Sequence, residues 1–455
     1  MKKAGVLLPV FSLPGSYGIG DFGKNAYHFI DLIKKSGLSY WQVLPLNPLD
    51  ESFSPYQAIS SFAGETVYID LGGLEEMGLL NKIKIQDFDE TFADYQNVKV
   101  FKEELFRKAY QNFKTTMKDS EEFTQFKKTW WLKSFCEFKV LYHLNDKTLW
   151  PTWKKHKIDD DEMEFEAFKQ FIFFKQWNNL KEYANNQGIK IIGDLPFYVG
   201  FNSEDVYTYR QFFKLDENNQ PTCVSGVPPD YFNLEGQRWN HPIYNWQELE
   251  NQHFDYWIKK IKHACSMFDI LRLDHFRAFD TYWEVDKDSV GAKNGQWIEA
   301  PGDALFNELF KQYPDLKIIV EDLGCLRPEV YELKDKYHLD GMNVLQFCYN
   351  EFLNHQIPKN CIFYTGTHDN NTLLTWKKEN HIYQSNLELI EEVMNTPANI
   401  VIIPLQDFLE LDDHTRINSP GTVGKHNWTW RIASLDEFEK ITSTIRLMVG
   451  KTRCN

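Results

Sequence analysis

The stretch Phe268-Asp-Ile-Leu-Arg-Leu-Asp-His-Phe-Arg-Ala-Phe279 joins an apolar run to an abrupt polar end at Asp274, His275 and Arg277. A short buried strand that delivers its last residues to a pocket reads this way. Arg272 precedes Asp274 by two positions, so both point to one face of that strand. A carboxylate beside a permanent cation is expected to stay ionised, which suits a nucleophile better than a proton donor. A structural Arg–Asp ion pair explains the same spacing equally well, and this stretch alone leaves both readings open.

Two more acids end apolar runs. Glu321 and Asp322 close Ile318-Ile-Val320, and Asp369 follows His368 at the end of Ile362-Phe-Tyr-Thr-Gly-Thr367. The intervals from Asp274 to Glu321 and from Glu321 to Asp369 are nearly equal. Carboxylates that end buried runs are costly unless they are paired or used. Glycoside chemistry needs this inventory: an ionised carboxylate to attack the anomeric carbon and a protonated one to feed the leaving oxygen, roughly 5 Å apart in retaining enzymes. A third acid can favour the oxocarbenium-like transition state.

Other chemistries have weaker support. Gly18-Ile-Gly-Asp-Phe-Gly23 fits G-x-G-x-x-G, but Ser12-Leu-Pro-Gly-Ser-Tyr17 separates it from the preceding strand, where a dinucleotide site needs the first glycine tight against the strand end. His263 and His275 lack ligand partners at metal spacing, and neither H-E-x-x-H nor G-x-S-x-G occurs.

The elements that must position these acids are eight β-rich runs, at 5–10, 41–46, 190–195, 269–273, 317–322, 341–347, 361–366 and 400–405. Helical patterns such as 25–35 and 254–266 lie between them, which predicts parallel strands joined by crossover helices. Asp194, Asp274, Glu321, His368 and Asp369 cluster at the ends of runs, where a (β/α)8 barrel builds its site. A doubly wound open sheet has the same polarity, so periodicity does not separate the two. We expect a barrel start over 1–71, an inserted and mainly helical subdomain over 72–189, and the rest of the barrel over 190–455. Trp130, Trp131 and Trp150 in the insert read as core. The 224–246 stretch, with paired prolines, many aromatics and little regular pattern, reads as a loop over the active site.

Composition sets outer limits. A net charge of -15 over 455 residues argues against a nucleic-acid partner and is compatible with a neutral substrate. Aromatic residues at 16% supply core, and in loops they would suit ligands with flat apolar faces such as sugars. Seven cysteines at irregular spacing give no disulfide framework, and no apolar run approaches the roughly 20 residues of a membrane span. The start, Met1-Lys-Lys-Ala-Gly-Val-Leu-Leu-Pro-Val-Phe11, reads as a first strand rather than a signal peptide, and the expected location is the cytoplasm.

Several blocks in order then carry a resemblance. They are Ser16-Tyr-Gly-Ile-Gly-Asp-Phe-Gly23, Trp41-Gln-Val-Leu-Pro-Leu46, Ser54-Pro-Tyr56, Ile192-Gly-Asp-Leu-Pro196, Gly226-Val-Pro-Pro-Asp-Tyr-Phe232, Arg272-Leu-Asp-His-Phe-Arg277, Glu321-Asp-Leu-Gly324, Gly366-Thr-His-Asp-Asn370 and Asn427-Trp-Thr-Trp-Arg431. With them the chain resembles the 4-α-glucanotransferases of the amylomaltase (disproportionating enzyme) family over nearly its full length. The resemblance implies an α/β fold, a (β/α)8 TIM barrel of the α-amylase type with inserted helical subdomains. It implies a retaining double displacement on 1,4-α-glucans and maltooligosaccharides, with Asp274 as nucleophile, Glu321 as acid/base and Asp369 as transition-state stabiliser. Arg272 and His368 would contact the sugar at the cleavage point, with Tyr56, Asp194 and Asn427 nearby. Tyr231, Phe232 and Trp239 are candidates for the acceptor side. Glu321 must start protonated, and the neighbouring Asp274 charge is the expected cause. No metal or organic cofactor is implied.

Three places depart from the family pattern. Trp239-Asn-His-Pro242 stands where Trp-Gly-Asn-Pro is usual, and Gly64-Glu-Thr66 where Gly-Asn-Pro is common. Only about two dozen residues separate Trp376 from Val401, where relatives carry a longer helical segment. Two other functions fit the same scaffold. An amylase-like hydrolase would use water as acceptor, and a non-catalytic glucan-binding protein would have no reason to keep three catalytic acids.

Overall fold

The computed structural model describes residues 2–229, 234–324, 326–422, 424 and 426–453. Eight parallel strands form its centre: β1 (Lys3–Leu7), β2 (Tyr40–Gln42), β3 (Lys190–Leu195), β4 (Ile270–Leu273), β5 (Ile318–Val320), β6 (Gly341–Val344), β7 (Cys361–Tyr364) and β8 (Ile400–Pro404). They run in the order β6-β7-β8-β1-β2-β3-β4-β5. The two ends of that order meet through an Ile319–Asp340 parallel bridge and a bond from the Val320 amide to the Asp340 carbonyl, 3.0 Å. The Asp322 carboxylate accepts from the Met342 amide at 2.6 Å and so ties the β5 end to β6. Closure selects the barrel over the open sheet that periodicity had left possible. Most strands end before their β-rich runs do, since the runs continue into the following loops, whereas β3 coincides with its run and carries Asp194 within it.

Strand parity places the acids. Ile192, Ile270, Ile319, Met342, Ile362 and Ile402 fill the barrel interior, with Leu7, Val344 and Tyr364. The alternate residues Ile191, Leu271, Leu273, Val320, Phe363 and Val401 face outward and join the core shared with the helices. Since side chains alternate along a strand, the residue two or four beyond an interior isoleucine also points inward, at the carboxyl end of the barrel. That rule gives Asp194 after Ile192, Arg272 and Asp274 after Ile270, and Glu321 after Ile319. Gly193, between them on the outward side, has Phe268 ring carbons 2.0 Å from where a Cβ would lie, so the helix layer packs directly on the β3 backbone.

The β2–β3 connection holds helices Leu71–Glu76, Tyr95–Thr116, Glu121–Phe126, Leu132–Leu144 and Asp160–Asn186. Trp131 and Trp150 are buried there, whereas Trp130 is 47% exposed and is not the core residue expected of it. Glu65, at one of the departures, has a structural role: its carboxylate accepts from the Leu49 amide at 2.8 Å and the Val67 amide at 3.1 Å.

Two other expectations change. The 224–246 stretch is not irregular: Cys223–Val227 and Gln237–Pro242 pair antiparallel, and with Thr281–Asp286 and Gln296–Glu299 they build a four-stranded sheet. The sheet joins one pair of strands from each of two separate connections, so the whole of it is not contained in one sequence window. The short 376–401 segment still completes a crossover, since helices Leu373–Glu379 and Asn386–Asn395 lead into β8, which pairs with β7 from Ile362–Ile400 onward. No helix among the described residues is long and apolar enough to cross a membrane.

Candidate active site

One guanidinium organises the carboxyl end of the barrel. Arg272, buried on β4, donates from Nη1 to both Asp194 oxygens at 2.7 and 2.8 Å and to Asp274 Oδ1 at 3.1 Å. Its Nη2 lies 3.9 Å from Glu321 Oε2. Asp194 also accepts from the Tyr56 hydroxyl at 2.6 Å, a second donor to the Oδ2 that Arg272 contacts. A buried carboxylate is stable when paired and fully hydrogen-bonded, and Asp194 meets both conditions. Asp274 and Glu321 are half-buried and keep only a share of the cation.

The backbone adds its own donor. His275 adopts a left-handed conformation, φ 50, and its amide donates to Glu321 Oε2 at 2.7 Å. For a residue with a Cβ that conformation costs about 1–2 kcal/mol. Ladder contacts on both sides hold it: the Asp274 amide donates to Leu195 O at 3.1 Å and the Phe276 amide to Glu321 O at 3.0 Å. The turn thus fixes Glu321 relative to Asp274 through peptide geometry rather than through flexible side chains.

Asp369 is held from the far side of the cleft. Asn418 Nδ2 donates to its Oδ1 at 2.6 Å, His368 Nε2 lies 3.3 Å from its Oδ2, and Arg416 Nη2 donates to its backbone carbonyl at 2.6 Å. The His368 ring stacks on Tyr56 at 5.2 Å, and both rings pack against Trp428. Tyr56 therefore links the Asp194–Arg272 pair to the His368–Asp369 pair.

These surroundings separate the three acids. Burial raises the Glu321 carboxyl to about 8; Arg272 and the His275 amide oppose the rise, while Asp274 and Asp369 add to it. Burial is thus the leading cause, and the expected Asp274 charge adds to it. Asp274 is also raised, to about 6, by burial, which Arg272 and His368 only partly offset, with Asp194 and Asp369 adding to the rise. This corrects the expectation that Arg272 would simply hold Asp274 ionised: the cation is spent mainly on Asp194. For Asp369 burial would also raise the carboxyl, but His368, Asn418 and Arg272 together prevail and lower it to about 2. Near neutral pH the order gives a protonated Glu321 between an ionised Asp274 and an ionised Asp369.

The remaining sequence candidates fall in different places. Trp239 packs edge-on to His275 at 5.0 Å, which brings the four-stranded sheet to the Asp274 turn. Asn240 follows it with φ 62, a left-handed conformation that asparagine tolerates. Asn427 touches none of the three acids; its amide accepts from the Ser419 amide at 3.1 Å and donates to Thr422 O at 3.0 Å, shaping the loop that carries Asn418. Tyr231 and Phe232 lie outside the described residues. Asn418 and Arg416 escaped sequence reading because they sit beyond the last strand, in a stretch with no period to align them. Trp428 stood inside a recognised block without any local sign of its contact with His368.

Comparison with known proteins bears on the family and the fold. The glycoside hydrolase family 77 model, 4-alpha-glucanotransferase, matches residues 8–436. The 4-alpha-glucanotransferase of Clostridium butyricum is 40% identical over 93% of this chain and 94% of its own, and that of Aquifex aeolicus is 39% identical over 99% of both. Among solved structures, the amylomaltase of Streptococcus agalactiae in complex with acarbose superposes with a TM-score of 0.94 at 31% identity, covering 99% of each chain. The chain belongs to the 4-α-glucanotransferase family.

The shared guanidinium makes a stability prediction. Arg272→Met leaves Asp194 buried without its cation and should lower the unfolding free energy by about 3–5 kcal/mol, measured by urea denaturation. Adding Asp194→Asn to that variant should recover most of the loss, because the uncompensated charge is then gone. Equal stability of the two variants would contradict the assignment.

Proposed function

We propose that this chain moves segments of 1,4-α-glucans and maltooligosaccharides to the 4-hydroxyl of an acceptor glucan or glucose by a retaining double displacement. The observation that carries the reading is the placement of Asp274 and Glu321 beside one guanidinium at the carboxyl end of the barrel, with burial raising the Glu321 carboxyl. Asp274 attacks the anomeric carbon as the glycosidic bond breaks, and Glu321 gives its proton to the departing 4-oxygen. The product is a glycosyl ester on Asp274. Glu321, now a carboxylate, takes the proton of an incoming 4-hydroxyl as that oxygen displaces Asp274 and restores both groups. Asp369, low in pKa and fixed by Asn418 and His368, offers a permanent negative charge to the oxocarbenium-like transition state.

In this scheme Nη1 of Arg272 holds Asp194 and Asp274, and Nη2, 3.9 Å from Glu321, is left to donate to the sugar at the cleavage point; His368 and Tyr56 supply a stacked wall for the donor sugar. Transfer prevails over hydrolysis when an acceptor is held in place and water is kept out. The four-stranded sheet with Trp239 suits that task, together with Tyr231 and Phe232. We place the protein in the cytoplasm, where the free thiols of Cys136, Cys223, Cys265, Cys348 and Cys361 would persist.

Incubation with maltotriose, with products resolved by size, tests the reading. Glucose plus a ladder of longer chains is the expected result, and Asp274→Asn should remove the ladder while leaving the fold intact. Glucose and maltose without longer chains would identify a hydrolase instead. The pH dependence follows from the two raised acids. Activity should fall below about pH 6 as Asp274 gains a proton and above about pH 8 as Glu321 loses one. Plots of kcat/KM against pH should therefore be bell-shaped, and a flat alkaline side would exclude Glu321 as the proton donor.

A further inference from the structure

The surroundings of Glu321 treat its two oxygens differently. The His275 amide donates to Oε2 at 2.7 Å, and Arg272 Nη2 faces the same oxygen at 3.9 Å. A carboxyl whose Oε2 already accepts keeps its own proton on Oε1. The His275 amide therefore decides which oxygen is left to give a proton to a leaving group. It does so from a left-handed backbone, φ 50, which a residue with a Cβ adopts only at a cost.

The His275 side chain is held as closely as its amide. Its ring lies 5.0 Å from that of Trp239 and 6.2 Å from that of Tyr198, and those two rings are 6.3 Å from each other, so the three close a triangle beside the turn. Phe197 packs edge-on to the same imidazole at 6.4 Å. The partners are fixed in their turn. Tyr198 is buried just beyond the β3 end and stacks on His241 at 5.4 Å. His241 is tied to the Ser225 hydroxyl on the neighbouring strand of the four-stranded sheet, through its ring Nδ1 at 3.1 Å and its amide at 3.3 Å. Trp239 lies on the same strand as His241. Burial lowers the His275 imidazole to about 4, with Arg277 and His241 adding to the effect, so near neutral pH the ring is uncharged and acts by its shape.

We propose that His275 is a positioning residue for the proton donor: Trp239 and Tyr198 hold its ring, the ring holds its Cα, and the amide nitrogen on that Cα is thereby kept on Glu321 Oε2. A turn of the residue out of the left-handed region that swings its Cβ would have to pull the ring away from both partners. The four-stranded sheet then reaches the acid/base as well as the acceptor side, since Trp239 serves both. This rests on the reading of Glu321 as the proton donor.

Kinetics of three variants of the full chain test this. His275→Ala removes the ring; His275→Asn, a second variant should the first fold poorly, removes it but tolerates the left-handed backbone; His275→Phe keeps a ring without nitrogens. On maltotriose the Ala and Asn variants should lose about tenfold or more in kcat with KM little changed, and the Phe variant should retain most of it. The His275 amide bond lowers the Glu321 carboxyl, so in the Ala and Asn variants the alkaline limb of kcat/KM against pH should move to higher pH. The leaving group of α-maltosyl fluoride needs no proton, so first-turnover release of fluoride should be little changed in all three. Retained kcat with an unmoved alkaline limb in the Ala and Asn variants, an equal loss in the Phe variant, or an equal slowing of fluoride release would overturn the proposal. Glu321→Gln separates the two levels. Full maltotriose turnover in that variant would remove the proton-donor reading and this proposal with it, whereas failure of the His275 variants alone leaves that reading in place.

Discussion

The site depends on how one buried cation is divided. Arg272 serves Asp194 with two short contacts, Asp274 with one longer contact and Glu321 at a distance. Were the guanidinium given wholly to Asp274, that carboxylate would be held low and would be a poor nucleophile. Were it withheld, two half-buried acids would both take protons. The division leaves Asp274 ionised near neutral pH and Glu321 protonated, two protonation states from one cation. Asp194 is the group that makes this division possible, since it absorbs most of the charge while touching neither of the other acids.

The barrel makes the arrangement reproducible. Closure through Ile319–Asp340 fixes the mutual positions of β4, β5 and β6, and the alternation of side chains then aims Arg272, Asp274 and Glu321 into one space. The β7 end contributes the third acid with its own support, His368 stacked on Tyr56 and Asn418 reaching across from the loop after β8. Rigid strand ends hold the groups and loops decide what reaches them, the usual division of labour in such barrels. The shortened β7–β8 connection leaves this intact because two compact helices still return the chain to β8.

Much of this was legible in the sequence, and the limits have physical causes. Apolar runs ending in acids marked the strands and the acids together, because a strand buried on both faces reads as a continuous apolar run that breaks where its end reaches the site. That three acids close buried runs could be read locally, whereas the roles proposed for them came from the ordered blocks of the resemblance. The four-stranded sheet was hidden because its central pairing, Cys223–Gly226 with Trp283–Asp286, joins two hairpins that lie on either side of β4 in the chain. The electrostatics were only half visible: adjacency of Arg272 and Asp274 can be read from spacing, but the stronger claim of Asp194 on the same guanidinium depends on β3 and β4 lying side by side. Asn418 was out of reach for the same reason, its bond to Asp369 spanning two connections with no pattern in either.

Trapping the covalent intermediate tests the central claim, that Asp274 carries the glycosyl group while Glu321 manages the proton. Glu321→Gln incubated with α-maltosyl fluoride, whose leaving group needs no proton, should accumulate an enzyme heavier by one maltosyl unit. Peptide mapping should then place the modification on the segment containing Asp274. An adduct on Asp369 or Asp194, or turnover of the fluoride with no adduct and an inverted product, would contradict the account.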